Sequence, residues 1–251
     1  MRNYTLLLLA VLSVSCAKAV REVEVTFGLG VSSGPLVRSD DGVYSALSAT
    51  APVGPFSLVA RSEDNELRSY SVTTGVPLTM AVGGYEVTGS GSGETVCSVR
   101  SGRLCSSPSW TVDESVEVGT ESSEYSVTAS YSCFALVFDR SEVDRVETLD
   151  SSGAVVELEM PGDAGHWVLY ARTDGAGVWT RNSPLYVYVY PEDEVYGEVR
   201  MYMVGNVQGG TSGSDYLNAE YGRWYRLSPG RVEVTSGSMG VNFPEWTEGS
   251  Y

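Results

Sequence analysis

Tyr125-Ser126-Val127-Thr128-Ala129-Ser130-Tyr131-Ser132-Cys133-Phe134-Ala135-Leu136-Val137-Phe138 decides how this chain is read. Its first part alternates strictly. Tyr125, Val127, Ala129, Tyr131 and Cys133 take one face of an extended strand, and Ser126, Thr128, Ser130 and Ser132 take the other. Successive strand side chains point to opposite faces, so this is a strand with one side in a core and one in water. From Phe134 onward the apolar positions become Phe134, Leu136 and Phe138, and the phase has slipped by one residue. Such a slip sends every later side chain to the opposite face. Either the chain leaves one core and enters another near Ser132 to Phe134, or a bulge kinks one long strand. The first alternative divides the chain into a leader at 1–15, an N-terminal half at 16–132 and a C-terminal half at 133–251.

Period two dominates on both sides of this stretch, and no segment after the leader keeps a helical 3.6 period over several turns. Val23, Val25, Phe27 and Leu29 oppose Glu22, Glu24 and Thr26. Strands are predicted for Phe56 to Ala60, Leu67 to Thr73, Gly84 to Thr88, Val112 to Val118 and Trp167 to Ala171. The same pattern predicts Leu185 to Tyr190, Val199 to Val204, Trp224 to Leu227, Val232 to Thr235 and Met239 to Phe243. Short strands punctuated by glycine and proline describe an all-β sandwich protein, not an α/β fold. The segment Leu78 to Val87 has a loose echo in Leu158 to Val168, each a strand, a glycine turn and an aromatic residue. That echo favours two domains.

The leader has Arg2, an apolar run from Leu6 to Leu12, and small residues up to Ser15, which is the build of an export signal. The run is shorter than the roughly 18 residues a spanning helix needs. Leu12-Ser13-Val14-Ser15-Cys16 resembles a lipobox, which makes Cys16 the candidate for lipidation and the cell envelope the expected location. Its leucine stands four residues before the cysteine instead of three. Ala17-Lys18-Ala19 offers the alternative of ordinary cleavage and free secretion.

The 251 residues carry 16 basic and 32 acidic side chains, a formal charge of −16. So acidic a body is repelled by nucleic acid and by anionic lipid headgroups, and neither is expected as a partner. No D-x-D-x-D-G loop suggests calcium, so the acidity reads as a solubilising surface. The single histidine, His166, rules out a multi-histidine metal site and reads as an exposed structural residue. There is no G-x-S-x-G elbow, and Gly209 to Ser214 lacks a P-loop lysine. No catalytic residue, metal site or cofactor is expected.

Three cysteines remain beyond Cys16. Cys97 and Cys105 flank Ser101-Gly102, so a hairpin could bridge them, or both could be reduced and partly buried. Tyr186, Tyr188 and Tyr190 alternate with Val187 and Val189. If the valines face the core, the tyrosines form an outward stripe suited to stacking on sugar rings, or they serve as ordinary cross-strand partners.

Several segments resemble the Bacteroidetes-type surface lipoproteins related to the fimbrillins, which are pilus and pilus-anchoring proteins. They are Pro77 to Val87, Ser107 to Val112, Tyr131 to Phe138, Gly222 to Tyr225 and Phe243 to Trp246. The resemblance implies two transthyretin-like or Ig-like antiparallel β-sandwich domains on an outer-membrane lipid anchor. It implies adhesion, or fimbria assembly and anchoring, with other fimbrial or surface proteins, or glycans, as partners. It also implies proteolytic processing after an arginine, for which Arg38 is the candidate, its alternative being an ordinary loop arginine. The chain is shorter than a typical fimbrillin.

Overall fold

The structure is a computed structural model that describes residues 20–31, 57–64, 68–159, 165–175, 177–206, 216–230 and 234–238. The leader, Cys16, Arg38 and the predicted strand Met239 to Phe243 lie outside the described residues. No helix among the described residues is long and apolar enough to cross a membrane. The fold is all-β, with one short 3-10 turn at Glu194–Tyr196 among the described residues.

Strands β1 (Glu22–Val31), β2 (Ser57–Ser62), β3 (Ser69–Thr73), β4 (Leu78–Ala81) and β5 (Gly83–Gly91) open the chain. The hairpin β6 (Thr95–Val99) and β7 (Gly102–Cys105) follows, then β8 (Trp110–Val118) and β9 (Ser123–Tyr131). The first sheet has the order β3-β2-β5-β8-β9-β1-β4. Side chains from all seven strands meet in one cluster, among them Phe27, Leu58, Val72, Met80, Tyr85, Trp110 and Val127. A flat layer could not bring them together, so the sheet curls over its own core. The curl falls where β8 and β9 share only the pairs Trp110–Tyr131 and Thr111–Ser130. Beyond them β9 diverges and pairs in parallel with β1.

The phase slip is where the chain changes sheets. β10 (Phe134–Asp139) pairs with β13 (His166–Thr173) and, in parallel, with β17 (Arg223–Arg226). Between them come β11 (Val143–Leu149) and β12 (Val155–Glu157), and then β14 (Leu185–Pro191), β15 (Arg200–Gly205) and β16 (Tyr216–Asn218). The last strand is β18 (Thr235–Ser238), which sits at the edge against β17. These strands form two sheets, β18-β17-β10-β13-β7-β6 and β12-β11-β14-β15-β16. Between the two lies a core containing Leu104, Phe134, Leu136, Phe138, Val146, Leu169, Val187, Val189 and Tyr202. β10 is apolar at every position from Phe134 to Phe138 because both its faces are covered. Phe134, Leu136 and Phe138 face this core. Cys133, Ala135 and Val137 face a smaller cluster with Cys105, Tyr170 and Trp224 on the reverse of the same sheet.

Two features add to the expected layout. Pairing is mixed and not purely antiparallel, since β1–β9, β10–β17 and β15–β16 run parallel. The boundary at 132/133 also assigns the hairpin at 95–105 to the N-terminal half, whereas β7 pairs with β13 in the later sheet. Trp179 fixes it there, its indole N–H donating to the Arg100 carbonyl at 2.7 Å. Gly102 leaves room for this approach, since a Cβ there would drive into the Arg172 carbonyl oxygen and the Trp179 ring.

A candidate recognition face on the second sandwich

β14 lies between β11 and β15, and its sequence sorts itself by face. Leu185, Val187 and Val189 are buried in the core, which turns Tyr186, Tyr188 and Tyr190 outward, each half-buried. Cross-strand partners share a face, so the register extends this surface. Tyr186 stands opposite Met203, and Tyr188 opposite both Met201 and Glu147. Met201 is 38% exposed. The result is a belt of exposed Met201 and half-buried Tyr186, Tyr188 and Met203 on the outer side of the sheet, uncovered by another strand among the described residues.

Tyr190 belongs to the same stripe but is already engaged. Its hydroxyl donates to Glu147 Oε2 at 2.7 Å, and the Arg145 guanidinium lies 3.7 Å above its ring centre. Arg145 in turn donates to Glu147 Oε1 at 3.1 Å and to Asp144 at 3.2 Å. The Tyr190 hydroxyl and then Arg145 hold the Glu147 carboxyl below its usual range despite desolvation, and the same hydrogen bond raises the Tyr190 phenol. The expected row of three stacking rings is therefore two open rings ending at a clamped third. Its polar cap of Arg145 and Glu147 can hydrogen-bond a ligand lying on Tyr186 and Tyr188.

Met201, Met203, Arg145 and Glu147 were not legible as site residues. β11 hides its pattern because its register shifts between Val143 and Arg145, so its buried valines, Val143 and Val146, stand three apart. The methionines fall inside a predicted strand, but only the register shows that they flank the tyrosines.

The cysteines do not pair as the hairpin suggested. Cys97, Cys105 and Cys133 are free thiols. A bulge between Thr95 and Cys97 sets Cys97 opposite Leu104, while Cys105 pairs with Thr95. Cys97 packs on the sandwich core and Cys105 on the reverse face, so their side chains point apart. Cys133 is sealed in, accepting from the Ser109 N–H at 3.3 Å, and burial pushes its thiol up to about 12. Such a thiol is inert.

His166 is not exposed, as its turn position suggested. Its side chain is 12% exposed and its Nε2 lies 3.8 Å from Asp139. Asp139 also accepts from the Ser141 hydroxyl and N–H and from Arg226 at 2.7 Å. Burial opposes ionisation of Asp139, but these donors, the Arg226 charge and His166 outweigh it and lower its pKa. The carboxylate stands between the serine and the histidine, the reverse of a nucleophile–base arrangement. Among the described residues no group of three or more His, Cys, Asp or Glu side chains could hold a metal ion.

No protein-family model matches the chain, and no curated protein matches it. Solved structures do. One is the tip fimbrial protein Mfa3 of Porphyromonas gingivalis with a C-terminal truncation, 9% identical over 87% of this chain and 99% of that chain, TM-score 0.48. A candidate cell adhesion protein of Bacteroides eggerthii is 10% identical over 88% of this chain and 97% of that one, TM-score 0.44. A candidate polysaccharide binding protein of Bacteroides thetaiotaomicron is 10% identical over 89% and 98%, TM-score 0.37.

Proposed function

We propose that this chain is a non-enzymatic adhesive protein of the cell envelope, of the fimbrillin-like kind its sequence resembles, anchored by lipid on Cys16. The observation that carries the reading is the open belt of Tyr186, Tyr188, Met201 and Met203. Contiguous apolar side chains left partly in water on a sheet face mark a candidate interaction surface. Tyrosine and methionine suit recognition, since an aromatic ring offers a flat apolar body with a polar tip and methionine repacks against varied partners. In this reading other fimbrial or surface proteins dock on the belt.

A second reading gives the belt a glycan. Two rings two residues apart on one strand, ending at the Arg145–Glu147 pair, present stacking surfaces beside a donor and an acceptor. One experiment separates the two. Beads coated with the full chain are scored for retention on a glycan array and on immobilised envelope proteins, beside beads carrying Tyr186→Ser/Tyr188→Ser/Met201→Ser. Retention on protein alone that the variant loses favours the first reading, and retention on glycan that it loses favours the second. Equal retention by the variant excludes this face. The anchor is tested by globomycin treatment with mass analysis of the N-terminus, where lipid retained on Cys16 is the expected result.

A further inference from the structure

Three segments of the second sandwich meet around a cavity of about 370 Å³: the β6–β7 turn, the β11–β12 turn and the entry to β14. Each wall is tied down by hydrogen bonds. Val99 bridges Asp150, and the Ser151 N–H donates to the Ser98 carbonyl at 2.9 Å. Thr180 and Ser183 close a tight turn by exchanging backbone hydrogen bonds at 3.1 and 3.0 Å, with Asn182 inside that turn. The Thr148 hydroxyl donates to the Tyr186 carbonyl at 2.7 Å, and the Trp179 indole holds the Arg100 carbonyl. A cavity built from fixed turns is formed before a ligand arrives, which lowers the ordering cost of binding.

The lining narrows the ligand. Leu149, Pro184 and Tyr186 supply apolar surface. Beside them the Ser151 hydroxyl and the Asn182 amide have no hydrogen-bond partner among the described residues. One cation, Arg100, and one carboxylate, Asp150, stand among the described lining residues and cancel in charge. Asp150 is occupied by its own turn, its Oδ1 accepting from the Ser152 N–H at 2.8 Å, the Ser152 hydroxyl at 2.7 Å and the Ala154 N–H at 3.0 Å. A basic ligand therefore finds its counter-charge already engaged, and an acidic one meets a chain of formal charge −16. What fits is an uncharged ring with an apolar C–H face and a rim of hydroxyls, the build of a neutral sugar. The volume sits near the lower end of small-molecule sites, roughly 300–1,000 Å³, so it suits one or two rings.

We infer that this cavity takes the terminal ring of a neutral glycan, packed on Tyr186 and hydrogen-bonded by Ser151 and Asn182. The inference rests on the glycan reading of the second sandwich and sharpens it, because Tyr186 is also the first ring of the outward belt. The chain end sits in the cavity and the rings behind it run toward Tyr188.

The test uses methyl pyranosides of glucose, galactose, mannose, N-acetylglucosamine and N-acetylgalactosamine, each beside a twin carrying a carboxylate at C6. Binding to the full chain is read by saturation-transfer NMR. At least one neutral glycoside is expected to bind in the roughly millimolar range, and about tenfold or more tightly than its acidic twin. Asn182→Trp, at an exposed turn position, fills the cavity and should abolish that binding with the circular dichroism spectrum unchanged. Tyr188→Ser/Met201→Ser alters the belt outside the cavity and should leave the affinity as it was. On the unaltered chain the sugar should slow hydroxyl-radical oxidation of Tyr186 relative to Tyr188. Any of four results would overturn the inference: no neutral glycoside bound, an acidic twin bound equally well, binding undiminished in Asn182→Trp, or Tyr186 left unprotected. So would a loss in Tyr188→Ser/Met201→Ser as large as in Asn182→Trp. Glycan-array retention that Tyr186→Ser/Tyr188→Ser/Met201→Ser loses and Asn182→Trp keeps would put the glycan on the belt alone, sinking the cavity and sparing the broader reading.

Discussion

Behind β10, the side chains of Cys133, Ala135 and Val137 are wholly out of water, while on the outward side of β14 Tyr186 and Tyr188 stand half in it. Both surfaces are outer sides of the same two-sheet body, and both are apolar. The first is covered by the rest of the chain. Tyr131 packs on it and stacks on Trp110 with ring centres 3.9 Å apart, Ser109 donates to Cys133, and Arg172 reaches Ser92 at 2.8 Å. Nothing comparable covers the second among the described residues beyond the Arg145 clamp on Tyr190. Apolar surface that folding needs is buried by the protein itself, and apolar surface kept for recognition is left in reach of a partner.

Substitution should separate the two surfaces by stability, and the largest effect belongs to the covered side. Trp224→Ala removes a ring that is 5% exposed. It should lower unfolding free energy by about 3–5 kcal/mol, measured by urea denaturation. A loss no larger than that of an exposed residue would show that the reverse face is not sealed.

Next comes the ion cluster that ties β10 to β13 and β17. Asp139→Asn should cost about 1–3 kcal/mol near neutrality. The sign of its pH dependence follows from the lowered pKa. A depressed folded pKa contributes stability that is complete above the unfolded value of about 3.9 and is lost as pH falls through the folded one. The gap in urea midpoint between the native protein and Asp139→Asn should therefore close on acidification. A gap that stays constant to strongly acid pH would contradict the assignment.

Thiol chemistry gives a smaller but sharper contrast. Cys97 should take up a maleimide in the native state, while Cys133 should react only after denaturant is added, as read by mass spectrometry of the peptides. The smallest effect on stability is expected on the open face. Tyr186→Ala/Tyr188→Ala should shift unfolding by no more than about 1 kcal/mol, yet abolish retention of coated beads. A large loss of stability with retention intact would make the tyrosines structural.

Much of this layout was written locally. The phase slip between Cys133 and Phe134 marks the change of sheet because alternation records which side is buried, and a strand entering a different core must restart it. Val187 and Val189 fixed the outward direction of the tyrosines for the same reason. What stayed hidden depends on contacts distant in sequence. β11 and β6 each carry a bulge that breaks the period, so no alternation marks Arg145 and Glu147, and Cys97 looked aligned with Cys105. The crossing of the 95–105 hairpin into the later sheet depends on Trp179, about eighty residues away. No pattern inside the hairpin records it. The parallel pairings β1–β9 and β10–β17 are long-range in the same way, and alternation does not name a strand's neighbour.

Oxidative footprinting of the free full chain tests the contrast between the two faces most directly. Brief exposure to hydroxyl radicals, followed by peptide mass mapping, should modify Met201, Met203, Tyr186 and Tyr188 early and spare Tyr170, Trp224 and Met80. Modification of Tyr170 and Trp224 as fast as Tyr188 would contradict it, because the covered face would then be as open as the one assigned to recognition.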